Sequence, residues 1–246
     1  MHTPYSLTRE QGDPAAEDPW LQYRAITPFS SDPACFRLIS NWQSHCEQEH
    51  EACAEVELPL LPTRVLEVNS SGDTPTVRLC SMKLVRASYA ALSYCWGACG
   101  ANFFTTTASS IERLMKGVAV TVLPETVQDA VSVTTALGLH YLWVDCLCIV
   151  QDAVEDWTAA LADMDTIYGN STITIAASSS PGAHAGFLKS RPFTGPCLKL
   201  PFQSPFMAEQ GLLWIQRRDR LTVQQRLSDH WKQPLQKRAW LYRSVF

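Results

Sequence analysis

What the chain lacks narrows it first. No apolar stretch in its 246 residues reaches the length that crosses a bilayer, and no apolar signal-type region opens it. The expectation is therefore a protein neither secreted nor membrane-spanning, located in the cytoplasm, with any membrane attachment left to a partner. A disulfide framework is also missing, because nine cysteines cannot all pair and nothing marks an oxidising compartment. Reduced thiols that pack as small core residues are the simpler reading, Cys95, Cys146 and Cys148 included. Charge of neither sign dominates: the formal net is −4. The one local excess runs from Trp214 to Phe246, with eight basic residues against Asp219 and Asp229. Trp214, Trp231, Trp240 and Tyr242 are interleaved with them, but no nucleic-acid-binding motif accompanies the segment. It reads as a solvated helical face, and nucleic acid is not the expected partner.

What is present suffices for a large core: 46% of residues are hydrophobic and 10% aromatic. Residues 1–30, with Pro4, Pro14, Pro19, Pro28 and Gly12, read as a flexible lead-in. Residues 31–246 read as one domain, a helical lead-in over 31–55 followed by an α/β body over 56–246. Within the lead-in, Trp42-x3-Cys46-x3-His50-x2-Cys53 places three metal-ligating side chains on one helical face. Cys46, His50 and Cys53 could ligate zinc if a fourth group joined, with Cys35 and Cys80 as candidates. Against that stands the spacing, which is not the pair of tight two-residue knuckles usual in structural zinc sites. The competing reading is a helix packing its Cys/His face on a sheet, with Leu58–Val68 following as a strand.

The stretch from Leu123 to Ile175 carries the fold. Pro124 suits a first helical turn, Thr126 with Asp129 three residues on resembles a capping box, and Gly138 is a natural stop. Val127, Ala130, Val131, Thr134 and Leu137 recur at helical spacing between them. Tyr141–Val144 is a buried strand ending in Asp145. Trp157, Ala160, Leu161, Met164 and Tyr168 form a second helical stripe closed by Gly169, and Ser171–Ala177 is a third strand. An earlier strand over Ser88–Cys95 runs into Trp96 and Gly97. Three strands joined by two helical crossovers form a parallel sheet flanked by helices, an α/β fold. Their C-terminal ends gather Tyr94, Trp96, Asp145, Asp152 and Ser178 on one rim, where such sheets bind ligands.

The block Tyr89-Ala-Ala-Leu92-Ser93-Tyr94-Cys-Trp96-Gly97 resembles the Y-x-A-L-S-Y-x-W-G element of the fungal heterokaryon-incompatibility (HET) domain. Leu123-Pro124-x-Thr126-x-x-Asp129-Ala130, Leu137-Gly138 and Tyr141 to Asp152 resemble its central block. Asp156-Trp157, Met164, Ile167-Tyr168 and Ile173–Ala176 are similar to the next, and Gly186-Phe187-Leu188 with Arg191 to the one after. The likeness spans roughly residues 56–246.

That resemblance implies a part in fungal non-self recognition and programmed cell death, acting by self-association or by binding another HET or receptor protein. It also implies a distant likeness to Toll/interleukin-1-receptor (TIR) domains, a flavodoxin-like three-layer architecture, some of whose members hydrolyse NAD. NAD is then the candidate substrate, and no other cofactor is expected. Such cleavage needs a carboxylate near the reacting carbon. In the corresponding C-terminal element Arg238 and Trp240 match the family, but Arg243 stands where Gln is usual and Ser244 where Glu is usual. Hence the resemblance leaves three readings: an interaction module, an NAD hydrolase, or a degenerate or truncated paralogue that is either inert or blocks its full-length relatives by mixed assembly.

The candidate catalytic residues are Asp145 and Arg238. Candidate ligand-binding residues are Tyr94, Trp96, Gly97, Asp145, Asp152 and Ser178. Two readings stand for Asp145: a carboxylate that caps the next turn or pairs with an arginine, or one that meets a ligand. Asp152, Glu155 and Asp156 read as complementing the dipole of the second helix. Tyr94 and Trp96 could stack on a planar ligand or pack in the core. Trp143 and Trp157 read as core, and His140 and His184 stay unassigned.

Overall fold

The computed structural model describes residues 5–8, 29–50, 53, 57–72, 74–97, 104–190, 197–203 and 210–217. The prolines of the lead-in and the C-terminal segment with Arg238, Arg243 and Ser244 lie outside them.

In chain order the elements begin with β1 (Tyr5–Thr8), α1 (Pro33–Glu49), β2 (Arg64–Asn69), β3 (Thr76–Ser81) and β4 (Ala90–Ser93). Next come α2 (Ile111–Lys116), β5 (Val118–Ala119), a 3-10 turn over Val120–Val122, α3 (Glu125–Ala136) and β6 (Tyr141–Val144). The rest are α4 (Asp145–Cys148), α5 (Val154–Ala162), α6 (Met164–Gly169), β7 (Ile173–Ala176), β8 (Cys197–Gln203) and β9 (Gln210–Arg217).

Two compact units are present. One holds the described residues through Cys35 and those from Leu188 onward, and its antiparallel sheet has the order β1-β9-β8. The other, Phe36–Phe187, contains a six-stranded sheet with the order β5-β3-β2-β6-β4-β7. Helices flank this second sheet in a three-layer α/β arrangement.

The parallel part of that sheet is the part expected from sequence. β4 lies between β6 and β7 and runs parallel to both, Leu92 standing opposite Val144 and Ile175. All four residues of β4 are buried, which is why it reads as an apolar run without alternation. Taken in chain order, the three strands lie second-first-third, the beginning of a doubly wound sheet of the flavodoxin order. An antiparallel extension continues past β6: β2 pairs with β6 and with β3, and β3 with β5. The strand foreseen over Leu58–Val68 starts only at Arg64, because Pro59 and Pro62 hold the preceding segment out of the ladder except for one bridge, Leu60 to Arg86.

α3 packs against β6, β2 and β4 and ends as its sequence suggests. Leu139 N donates to Thr134 O and Gly138 N to Thr135 O, both at 3.0 Å, with Gly138 at φ +73°. This is a Schellman stop, and it needs a left-handed residue at Gly138. Two other expectations are corrected. The second helix is two helices, α5 and α6, broken at Asp163, and the break resets the phase of the apolar stripe. Trp157 is consequently half-buried and Leu161 is 59% exposed, while Ile167 and Tyr168 of α6 enter the core. There Tyr168 meets Trp143 edge-on at 5.5 Å between ring centres and its hydroxyl donates to Leu92 O at 3.1 Å. Nor do Thr126 and Asp129 make a capping box: no side chain caps the start of α3, and both residues reach instead to the loop after β7.

Candidate functional site

Parallel pairing brings the C-terminal ends of β4, β6 and β7 to one edge, and there the polar groups collect. Asp145, the first residue of α4, is 7% exposed. Trp96 Nε1 donates to both of its carboxylate oxygens, at 3.2 Å and 3.0 Å, and its Oδ1 also accepts the N–H of Cys146 at 2.7 Å. Charge-assisted bonds of this kind are the strong ones, and together they fix the carboxylate and the indole relative to each other. The turn beneath is equally bound: Thr106 Oγ1 donates to Leu147 O at 2.7 Å, and Gln151 Nε2 donates to Asp145 O at 3.0 Å.

Of the remaining candidates, Tyr94 is 1% exposed and its ring belongs to the core. Gly97 adopts φ +103° and lies against Gly182: a Cβ on Gly182 would come within 3.1 Å of Gly97 Cα. Asp152 is exposed and accepts the N–H of Ala108 at 2.8 Å, and Ser178 Oγ donates to Ala176 O at 3.4 Å. Trp96 and Asp145 are thus directly joined, Gly97 follows Trp96, and Asp152 and Ser178 make these bonds elsewhere. Ser93, at the end of β4, is 1% exposed, and its hydroxyl has no partner among the described residues.

Sequence reasoning missed a clamp beside the rim. Thr126 Oγ1 lies 2.9 Å from Gly182 O and 3.0 Å from Ser180 Oγ, and it accepts the N–H of Gly186 at 3.1 Å. Thr126 N donates to Ala183 O at 2.9 Å, and Asp129 Oδ2 accepts the N–H of Phe187 at 2.5 Å. Ala183 N in turn donates to Trp96 O at 3.2 Å, so one loop ties α3 to the rim. Gly186 is required where it stands: φ is +65°, and a Cβ would meet Asp129 Oδ2 at 2.9 Å.

A second connection holds the far end of α4. Arg64 Nε donates to Cys148 O at 2.8 Å, and its guanidinium pairs with Asp156, which also accepts the N–H of Val150 at 2.6 Å. Partial burial alone would raise the Asp156 carboxyl, but the Arg64 hydrogen bond, the Val150 N–H and the Arg64 charge outweigh it and hold the group below its usual range. Asp156 is therefore a structural ion-pair partner besides being an acid in the first turn of α5.

The thiols beside Asp145 are not nucleophiles. Burial pushes Cys146 well up, with the neighbouring Asp145 charge adding to it, and burial pushes Cys148 up to about 12. Thiols so placed stay protonated and inert, as the packing reading of the cysteines expects. Metal-ligating atoms converge at one place among the described residues, where those of Cys46, His50 and Cys53 all lie within 4.8 Å of one another. Cys35 and Cys80, considered as a fourth ligand, face other groups: Phe29 O at 3.7 Å and Glu67 Oε2 at 3.9 Å.

A family model described as heterokaryon incompatibility protein (HET) matches residues 89–243. The chain belongs to the HET family. Comparison with curated proteins and with solved structures gives no match. The HET match begins at Tyr89 and takes in the rim and the clamp, including Trp96, Thr126, Asp129, Asp145 and Gly186, and it supports a role related to heterokaryon incompatibility. The Cys46, His50 and Cys53 cluster lies before it. No helix among the described residues is long and apolar enough to cross a membrane.

Proposed function

We propose that this HET chain is an interaction module of non-self recognition and programmed cell death signalling, working by self-association or by binding another HET or receptor protein. One observation carries the reading: the rim carboxylate, Asp145, spends both oxygens on Trp96 Nε1 and one of them also on Cys146 N. A general acid or base must be open to the proton it moves, whereas this one is engaged as a brace. The crevice position supports the same reading. In a second-first-third sheet a ligand would enter between the ends of β4 and β7. The segments leaving those strands stay bonded there, Ala177 N to Ser93 O at 2.9 Å and Ala183 N to Trp96 O at 3.2 Å, with Gly97 against Gly182.

The test is nicotinamide release from NAD by the purified chain at high concentration, read beside its mass by light scattering across a dilution series. No release together with a mass that grows with concentration is the expected result. Constant monomer mass removes self-association and leaves a second protein as the partner, and steady release overturns the non-hydrolytic reading.

The buried Ser93 hydroxyl, unpartnered among the described residues at the same crevice, favours a second reading in which a ligand such as NAD enters once the loop yields. For that reading an Arg243→Gln, Ser244→Glu double variant is the decisive arm. Release by the variant alone marks the natural chain as a disabled hydrolase.

A further inference from the structure

Helix α1 is 17 residues long and has no buried residue among those described. Its apolar residues Phe36, Leu38 and Ile39 are only partly buried, so burial of an apolar face, the usual source of helix stability in a protein, holds it only in part. At its C-terminal end the chain keeps turning: His50 N donates to Cys46 O at 3.1 Å, and Cys53 N to His50 O at 2.8 Å. The second bond folds Cys53 back onto the last turn. As a result Cys46 Sγ lies 3.3 Å from His50 Nδ1 and 3.4 Å from Cys53 Sγ.

Those separations have a specific meaning. Zinc takes thiolate sulfur at about 2.3 Å and imidazole nitrogen at about 2.0–2.1 Å, so a tetrahedral site has S···N edges of about 3.5 Å and S···S edges of about 3.8 Å. The two edges from Cys46 Sγ need to open by only a few tenths of an ångström to accept the ion, while the His50 to Cys53 edge, within 4.8 Å, closes toward about 3.5 Å by side-chain rotation. Without a metal, the same atoms exchange only thiol hydrogen bonds, which are weak. Charge agrees as well, because two thiolates and a neutral imidazole cancel the charge of a divalent cation and leave no net charge on a half-exposed helix end.

We propose that Cys46, His50 and Cys53 form a zinc site that fastens the end of α1. Both thiols lose their protons on binding, so each zinc taken up releases two protons, and the two sulfurs with His50 Nδ1 donate electron pairs to the metal. Cys46 and Cys53 are partly buried and His50 is exposed, which leaves the fourth position on the solvent side for water. The three protein ligands would tie the last turn of α1 to the residue that follows it, with the fourth position open.

The experiment uses the full chain without a histidine tag, purified under reductant and desalted. Zinc content is measured, and the ion is then replaced by cobalt(II). One zinc per chain and a thiolate-to-cobalt charge-transfer band in the near ultraviolet are expected. Cys46→Ser, Cys53→Ser and His50→Ala should each weaken metal binding more than about tenfold, with Cys35→Ser and Cys80→Ser unchanged. The cobalt spectrum of the unmodified chain decides even if a variant fails to fold. A chain that keeps no zinc, or binds cobalt without the thiolate band, overturns the proposal.

Discussion

Helices α3 and α5 lie in successive connections of the parallel part of one sheet, α3 between β4 and β6 and α5 between β6 and β7, yet they are held differently. α3 buries Thr126, Val127, Ala130, Val131, Val133 and Thr134, and two of its polar side chains grip the loop after β7. α5 buries none of its residues, and among the described residues its strong tether is the Asp156 pair with Arg64. The first helix is part of the frame that shapes the rim. The second is held at its start and leaves Val154, at 75% exposure, and Leu161 facing solvent. One crossover thus carries the site, while the other offers surface that core packing does not use.

The comparison breaks most visibly at the clamp. Gly186→Ala forces a side chain into a left-handed conformation, at about 1–2 kcal/mol, and drives its Cβ onto Asp129 and Glu125, at about 1–3 kcal/mol more. A combined loss of about 3 kcal/mol is expected in urea unfolding. Thr126→Val keeps the shape but strips the hydroxyl from Ser180, Gly182 and Gly186, leaving buried polar groups without it. About 2 kcal/mol should go with it, again read from the urea midpoint. If both substitutions are neutral, α3 is no better fastened than α5 and the contrast fails.

The tether of α5 is tested by acid. The folded Asp156 carboxyl lies below its unfolded value, so the pair contributes stability that is complete above the unfolded pKa of about 3.9 and is lost as pH falls through the lower folded value. Arg64→Met removes the cation together with its bond to Cys148 O. The variant should be about 2 kcal/mol less stable at pH 7. It should also lose less than the unmodified protein when titrated from pH 5 downward, because it no longer has the pair to lose. Identical acid profiles would show that the tether does not stabilise the fold.

What could be read from sequence divides along the same line. β4 and β6 were legible because strands buried on both faces leave continuous apolar runs, β7 because its β-branched Ile-Thr-Ile favours a strand, and Asp145 because a polar residue after an apolar run marks a strand end. Gly138 announced the end of α3 through its own left-handed conformation. The clamp was not legible: Thr126 and Asp129 sit at capping-box spacing, but their partners Ser180 and Phe187 lie 54 and 58 residues further on. Local pattern cannot show a partner that distant. The apolar spacing across Asp163 likewise suggested one helix, since periodicity records which residues share a face and not whether that face is covered. Gln151 and Thr106 were overlooked as site residues for a related reason: their work is done on backbone carbonyls, which no sequence pattern displays.

The smallest effect is the most useful for function. Leu161→Gln changes a residue that is 59% exposed on a helix with no buried position, so unfolding stability should move by no more than about 0.5 kcal/mol. If association uses the outward face of α5, the same substitution should shift the concentration at which mass rises while the urea midpoint stays put. Trp96→Phe is the counterpart at the rim. It removes the Nε1–H that braces Asp145 and should lower stability by about 1–2 kcal/mol through loss of a charge-assisted bond. Assembly that responds to Leu161 but not to Trp96 places the contact on the loosely held crossover. Assembly that responds to Trp96 beyond its stability loss places it at the rim, and α5 is then only a cover on the sheet.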